Sequence, residues 1–370
     1  MKYYLVAGER SGDLHAANLI KKLFVADPKS IFRGFGGEQM RDAGAEITID
    51  YRELSVMGLV EVLLSLRKIV KYLKLCQQDI KKFNPDVLIL VDYPGFNLRL
   101  AKWAKKEGIK VYYYISPKIW AWNTGRAKQI KANVDRMFSI LPFEKEFYQQ
   151  FNYEVDYIGN PVADAVYNFV PDDAFSTKAR LPTDKSIVAL LPGSRKQEMH
   201  NMLPIMLEIV KHMQQYHFVV AAIEDMDQKF YEPFGREPNA SIVHESTYDL
   251  LQRANAAIVT SGTATLETAL FEVPQVVIYR TSWLTASIAR HLIKVPYVSL
   301  VNLIANKLVV KELLQNDMTL ENVKQELLAI MENKDYRQQM LNNYADIKAT
   351  LGFENTAEKA ASLMVNYLKG

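Results

Sequence analysis

Little in this 370-residue chain suits metal or covalent chemistry. There is one cysteine, Cys76, so no internal disulfide can form and a reducing compartment is allowed. The six histidines, His15, His200, His212, His217, His244 and His291, show no pair at i, i+4 and have no cysteine partner. No G-x-S-x-G elbow, G-x-G-x-x-G turn or P-loop Gly-Lys-Ser/Thr is present, so neither a serine nucleophile nor a resident cofactor is expected. No run of about 18 apolar residues could span a bilayer. The first residues, Met1 to Gly8, lack a signal-peptide pattern, which makes the cytoplasm the expected location. A net charge of +3 is too small to imply nucleic acid. Repeats and low-complexity tracts are missing as well.

What is present is an ordinary globular composition, 49% apolar and 24% charged, in a chain long enough for two domains. Short apolar runs alternate with longer helical patterns. Tyr3–Ala7, Phe32–Phe35, Asp86–Val91, Lys110–Ile115, Arg136–Leu141 and Val155–Ile158 read as strands. Helical patterns cover Gly12–Phe24, Val56 to about Phe83, Asn97–Lys106 and Phe143–Phe151. After a polar stretch at Pro171–Lys185, strands recur at Ile187–Leu191, Phe218–Ile223, Ala256–Thr260 and Gln275–Tyr279; beyond that the chain reads as helical. This βαβα order predicts an α/β protein with two doubly wound parallel sheets. The expected domains are 1–168 and 169–351, with a last helix within about 352–370 as a candidate to pack back on the first.

In such sheets ligands bind beyond the carboxyl ends of strands, and unusual residues gather there. The first strand ends in Gly8-Glu9-Arg10-Ser11-Gly12-Asp13, a Gly-rich turn that suits a sugar or acceptor cleft better than phosphate, because Glu9 and Asp13 would repel an anion. Asp86–Val91 runs into Asp92-Tyr93-Pro94-Gly95. Asp92 is either a helix cap or, in a partly dry position, a general base; the base is favoured. Ser116-Pro117 follows the next strand, and Trp120 and Trp122 either stack on a sugar or fill the end of the sheet. In the second block, Gly193, Ser194 and Arg195 suit a diphosphate, the alternative being a surface arginine paired with Glu198. Ser261-Gly262-Thr263 opens a helix whose free N–H groups suit phosphate, with Glu267 one turn on for ribose hydroxyls. If the two edges face each other, they form one cleft.

Residues 56–75 carry a wide apolar face, including Val56, Met57, Val60 and Leu63, beside Arg67, Lys68, Lys71 and Lys74. They read as a crossover helix or as a helix resting on an anionic bilayer. Met199, Met202, Met206 and Met213 share a face and read as core, with an acyl-chain groove as the sharper alternative. Asp225-Met226-Asp227 matches a metal-holding D-x-D only weakly, and no metal is expected.

Ordered motifs along nearly the whole chain carry a resemblance. They are Gly8-Glu9-x-Ser11-Gly12-Asp13, Gly34-Phe35-Gly36-Gly37, Leu54 to Val62, Asp92-x-Pro94-x-Phe96-Asn97 and Ile115-Ser116-Pro117-x-x-Trp120-Ala121-Trp122. Further on come Leu141-Pro142-Phe143-Glu144, Leu191-Pro192-Gly193-Ser194-Arg195-x-x-Glu198, Ser261 to Glu267, and Tyr297-Val298-Ser299-Leu300-x-Asn302-Leu303. Together they resemble the lipid-A-disaccharide synthase family. The resemblance implies a GT-B fold, two Rossmann-like domains facing across a cleft. It implies a UDP-2,3-diacylglucosamine donor and a 2,3-diacylglucosamine 1-phosphate acceptor, with inversion at the anomeric centre and no metal. It places Asp92 as base, Arg195 on the leaving UDP, and Asn302 and Glu267 on the UDP side. A cytoplasmic enzyme held peripherally at the inner membrane is implied; the oligomeric state is left open, a homodimer included. Arg10 and Gly95 depart from the family pattern. A UDP-N-acetylglucosamine 2-epimerase or a lipid-binding scaffold are the rival readings.

Overall fold

A computed structural model describes residues 1–54, 61–224, 226–282 and 295–370; the side chains of Leu54 and of residues 61–67 lie outside the description. The chain forms two compact units, Met1–Pro161 with Phe353–Gly370, and Val162–Gly352.

The first unit is built on seven parallel strands: β1 (Lys2–Ala7), β2 (Ile31–Gly36), β3 (Glu46–Asp50), β4 (Val87–Val91), β5 (Val111–Tyr114), β6 (Arg136–Ser139) and β7 (Asp156–Tyr157). They lie in the order β3-β2-β1-β4-β5-β6-β7. Both faces are covered, and the period-two alternation of β1 shows how. Tyr3, Leu5 and Ala7 join one core with Leu19 and Ile20 of helix Arg10–Ala26. Tyr4 and Val6 join the other, with Tyr72, Cys76 and Ile80 of helix Glu61–Phe83. Those three residues fall at i, i+4 and i+8, one stripe of a helix. The opposite side of that helix exposes Lys68, Val70, Lys71, Lys74 and Leu75. Asp79, near its end, accepts bonds from Tyr4 Oη, Thr48 Oγ1 and both Nε and Nη2 of Arg33, tying the helix to β1, β2 and β3. Helix Thr356–Lys369 lies on helix Arg10–Ala26 and adds Ala360, Ala361, Met364 and Val365 to the first core.

The second unit has six parallel strands: β8 (Ile187–Leu191), β9 (His217–Ala222), β10 (Ala240–His244), β11 (Ala256–Thr260), β12 (Gln275–Tyr279) and β13 (Glu312–Leu314). Their order is β10-β9-β8-β11-β12-β13. Met199, Met202, Met206 and Met213 are wholly buried, so they are core and no groove.

Three strands that the sequence did not announce, β3, β10 and β13, are all sheet edges. Each has only one neighbour and is partly exposed, so none carries the apolar run that marks a central strand. Leu14, an apolar residue of helix Arg10–Ala26, is 44% exposed.

Strand order reverses between β1 and β4 in the first unit and between β8 and β11 in the second. The loops leaving the two strands at each reversal turn to opposite faces and leave a crevice. Gly8 and Asp92 open from one such pair, Gly193–Arg195 and Ser261–Thr263 from the other.

Met364→Ala should lower the stability of the first unit by about 2–5 kcal/mol, the range for emptying a filled methionine site. Urea unfolding followed by a probe in that unit would show it.

Candidate active site

At the first reversal, Ala7 of β1 pairs with Val91 of β4, so the two loops leave side by side. A Cβ on Gly8 would stand 2.2 Å from the ring of Tyr93, so only glycine lets that ring lie against the turn. Asp92 and Tyr93 both adopt the left-handed region, at φ 43° and 46°. For L-residues this conformation costs on the order of 1 kcal/mol each. Hydrogen bonds over-determine it. The Asp92 carbonyl accepts from Tyr113 Oη at 2.5 Å and Asn97 Nδ2 at 2.8 Å, and its N–H donates to the Tyr114 carbonyl at 3.1 Å. The following helix, Pro94–Lys106, has Tyr93 as its N-cap with no side-chain cap bond, so Asp92 is not the cap.

The Asp92 carboxyl is pushed up to about 6, first by burial; Lys118 opposes the rise and Glu9 adds to it. Moving from 3.8 to about 6 corresponds to roughly 3 kcal/mol in favour of the neutral form. Because the folded value is the higher one, this contribution to stability is present at low pH and is lost as pH rises through about 6. Glu9 and Ser11 are exposed and Gly12 is buried. Asp13 is buried and accepts from the N–H groups of Gly37, Gln39 and Met40, so it serves the start of the next helix.

The loop after β5 separates the two tryptophans. Trp120 is 7% exposed, and its indole N–H donates to Glu144 at 3.0 Å. This corrects the idea of Trp120 as an open sugar platform: it closes the end of the sheet. Glu144 is fully buried, also accepts from the Leu141 N–H, and is raised to about 7 by that burial. Ser116 is buried too, 3.1 Å from Tyr148 Oη. Trp122, by contrast, is 40% exposed, with the Arg126 guanidinium 4.7 Å above its ring.

At the second reversal, β8 and β11 pair through Leu191 and Val259. Gly193 has φ +95°, and a Cβ there would stand 2.5 Å from Glu198 Oε2. That oxygen accepts from the N–H groups of Ser194 at 3.1 Å and Arg195 at 3.2 Å. The turn expected to offer its N–H groups to a phosphate therefore holds an internal carboxylate. The Arg195 side chain is 76% exposed and touches Glu198 only at 3.5 Å. Such an exposed pair contributes about 0–1 kcal/mol, so the guanidinium is readily redirected to another anion. Beside it, helix Thr263–Leu270 begins after Gly262 with no side-chain cap, and Gly262 and Thr263 are exposed while Ser261 is half-buried. Glu267 has one oxygen on Tyr248 Oη at 2.8 Å, and Tyr248 packs against Phe169 and Phe271.

Asn302 is buried and saturated. Its amide donates to the Val310 carbonyl and Glu312, and its oxygen accepts from the N–H groups of Val309 and Val310. It shapes its own loop and has no free donor for a ligand.

Val56, Met57, Val60 and Asp225 lie outside the described residues, as does the side chain of Leu63. Asp227 caps its own short helix, accepting from Lys229 N–H. Among the described residues no cluster of His, Cys, Asp or Glu could hold a metal, and no helix is long and apolar enough to cross a membrane. Sequence reasoning did not single out Lys118 or Arg126, and it met Glu144 only as the end of the motif Leu141-Pro142-Phe143-Glu144. Ser116-Pro117 and the tryptophan spacing marked this loop.

Two parallel-sheet α/β units with reactive loops at both reversals define a GT-B-type sugar-nucleotide enzyme. Solved structures agree on the fold. UDP-GlcNAc 2-epimerase from Neisseria meningitidis, bound to UDP-GlcNAc, superposes with a TM-score of 0.68 at 13% identity, covering 99% of this chain and 100% of that one. The glycosyltransferase of kitacinnamycin gives 0.66 at 14% identity, covering 99% of each. A family profile described as lipid-A-disaccharide synthetase matches residues 3–365. The lipid-A-disaccharide synthase of Syntrophus aciditrophicus (strain SB) is 39% identical over 99% of this chain and 97% of its own length. The chain belongs to the lipid-A-disaccharide synthase family, the disaccharide-forming glycosyltransferases of lipid A biosynthesis.

Trp120→Phe removes a donor from a fully buried carboxyl and should destabilise the first unit by about 1–3 kcal/mol. Trp122→Phe, at the exposed stack, should stay within about 1 kcal/mol of the parent. Paired urea unfolding curves would separate the two tryptophans.

Proposed function

We propose that the enzyme transfers diacylglucosamine from UDP-2,3-diacylglucosamine to the 6-hydroxyl of 2,3-diacylglucosamine 1-phosphate, releasing UDP, with inversion and without a metal. Asp92 takes the proton of the acceptor hydroxyl as that oxygen attacks C1 of the donor sugar and the bond from C1 to the UDP oxygen breaks. Arg195 and the uncapped helix start at Gly262–Thr263 receive the negative charge that gathers on the departing diphosphate. Glu267, braced by Tyr248, takes ribose hydroxyls. Asn302 acts at one remove, by holding the Val309–Val310 loop. Gly8, Glu9, Ser11 and Gly12 line the acceptor side.

The observation that carries this reading is Asp92: its backbone is held in a strained conformation at a strand-order reversal, and burial raises its carboxyl to about 6. A base poised there is ionised at neutral pH yet accepts a proton more readily than an ordinary aspartate. The metal-free reading rests on Arg195 and the helix start, which supply the positive charge a divalent ion would otherwise bring.

Purified protein given both acylated sugars should release UDP and disaccharide, undiminished by EDTA. With Asp92→Asn the rate should drop about 10²–10⁴-fold. In the parent, kcat/KM should climb tenfold per pH unit below about 6 and level off above it, because only the ionised carboxylate accepts the proton. Turnover of Asp92→Asn within a few-fold of the parent would remove Asp92 from this role.

Peripheral attachment to the inner membrane belongs to the same reading. Lys68, Lys71 and Lys74, with Val70 and Leu75, form an exposed basic and apolar face on helix Glu61–Phe83. Each lysine near an anionic surface contributes about 1 kcal/mol. Changing all three to glutamate should abolish co-sedimentation with phosphatidylglycerol vesicles; unchanged binding would sink that surface.

A further inference from the structure

The geometry points to Lys118 and Arg126, the latter laid over Trp122, as the subsite that receives the phosphate of the acceptor sugar. This inference rests on the assignment of Asp92 as the base for the acceptor hydroxyl.

Three observations converge on the loop after β5. First, neither Lys118 nor Arg126 forms an ion pair among the described residues, whereas Lys105 and Arg33 of the same unit are paired with Asp135 and Asp79. Second, the Arg126 guanidinium lies over the Trp122 ring, 4.7 Å from its centre. A guanidinium is a planar fork of donors that suits two oxygens of a phosphate. The tryptophan beneath it is 40% exposed, so the stack stands in solvent where a ligand can reach it. Third, the loop leaves β5 beside the base: Val91 pairs with Tyr114, whose carbonyl accepts from the Asp92 N–H at 3.1 Å. Lys118 is near enough to draw the Asp92 carboxyl downward. Arg126 acts on the Tyr113 hydroxyl, which itself donates to the Asp92 carbonyl at 2.5 Å.

The chemistry of the acceptor calls for a cationic neighbour to the base. Its attacking 6-hydroxyl, carried through C6 on C5, and its phosphate, on C1, flank the ring oxygen of one sugar. When the hydroxyl is at Asp92, the phosphate must lie close by without touching it. A phosphomonoester carries about −1.5 to −2 charge at neutral pH, and Asp92 and Glu9 would repel it. Lys118 and Arg126 bring two positive charges to the loop after β5 to offset that repulsion. The buried side of the same loop keeps them in place: Trp120 bonded to Glu144, and Ser116 beside Tyr148, leave residues 116–122 little freedom.

The test compares two acceptors, 2,3-diacylglucosamine 1-phosphate and the same sugar without its phosphate, the latter also as a competitive inhibitor. The parent should favour the phosphorylated acceptor. Arg126→Gln should raise KM for that acceptor about 10–100-fold, the loss expected for a charged hydrogen-bonded pair. Lys118→Gln should raise it several-fold. In both variants kcat, the KM for the donor and the inhibition constant of the dephosphorylated sugar should stay within about threefold. Arg126→Lys, which keeps the charge and loses the fork, should fall between. An equal loss for both acceptors, or unchanged discrimination in Arg126→Gln, overturns this subsite while leaving Asp92 as base. A parent indifferent to the phosphate overturns it too. No transfer by the parent with either acceptor overturns both readings.

Discussion

Everything functional in this protein hangs on the reversal of strand order within each parallel sheet. Parallel strands need crossover helices, and the helices must cover both faces because the strands are apolar on both. Where successive crossovers switch from one face to the other, neighbouring loops part and leave a crevice. Gly8 and Asp92 stand at one such opening, Arg195 and Gly262 at the other. The same backbone geometry thus produces two polar edges from otherwise apolar strands.

The first of these edges is rigid for a reason that can be traced bond by bond. Asp92 and Tyr93 hold a disfavoured backbone conformation, and Asn97, Tyr113 and Tyr114 hold the Asp92 peptide in it. Tyr93 in turn requires Gly8 to lack a side chain. The result is a carboxylate at a dry sheet end, where Lys118 moderates its rise in pKa. The second edge is built differently. There the turn N–H groups hold Glu198, and the mobile charge is the exposed Arg195 side chain. One edge presents a carboxylate on a fixed backbone, the other an adaptable cation, and the proposed proton removal and leaving-group support rest on these two features.

Much of this was legible in the chain. The central strands were readable because burial on both faces demands continuous apolar runs such as Val87–Val91. The loops after them were readable because Gly, Pro and charged residues interrupt those runs. The edge strands β3, β10 and β13 were not readable, since a strand with one neighbour and a wet side need not be apolar. The motifs also pointed to the family that the comparisons then showed.

Sequence by itself determined the fold class, the reversal loops and the residue types in them, because local patterning of apolar and turn residues dictates those. Tertiary structure decided what each residue does there. Two tryptophans two residues apart look alike in sequence, yet Trp120 is sealed against Glu144 and Trp122 stands in solvent under Arg126. Asn302 looks like a ligand contact, yet its four hydrogen-bonding positions are filled by its own loop. Ser194 looks like a phosphate donor, yet its N–H group meets Glu198. Side-chain direction and hydrogen-bond saturation depend on neighbours brought together by folding, and spacing along the chain does not encode them.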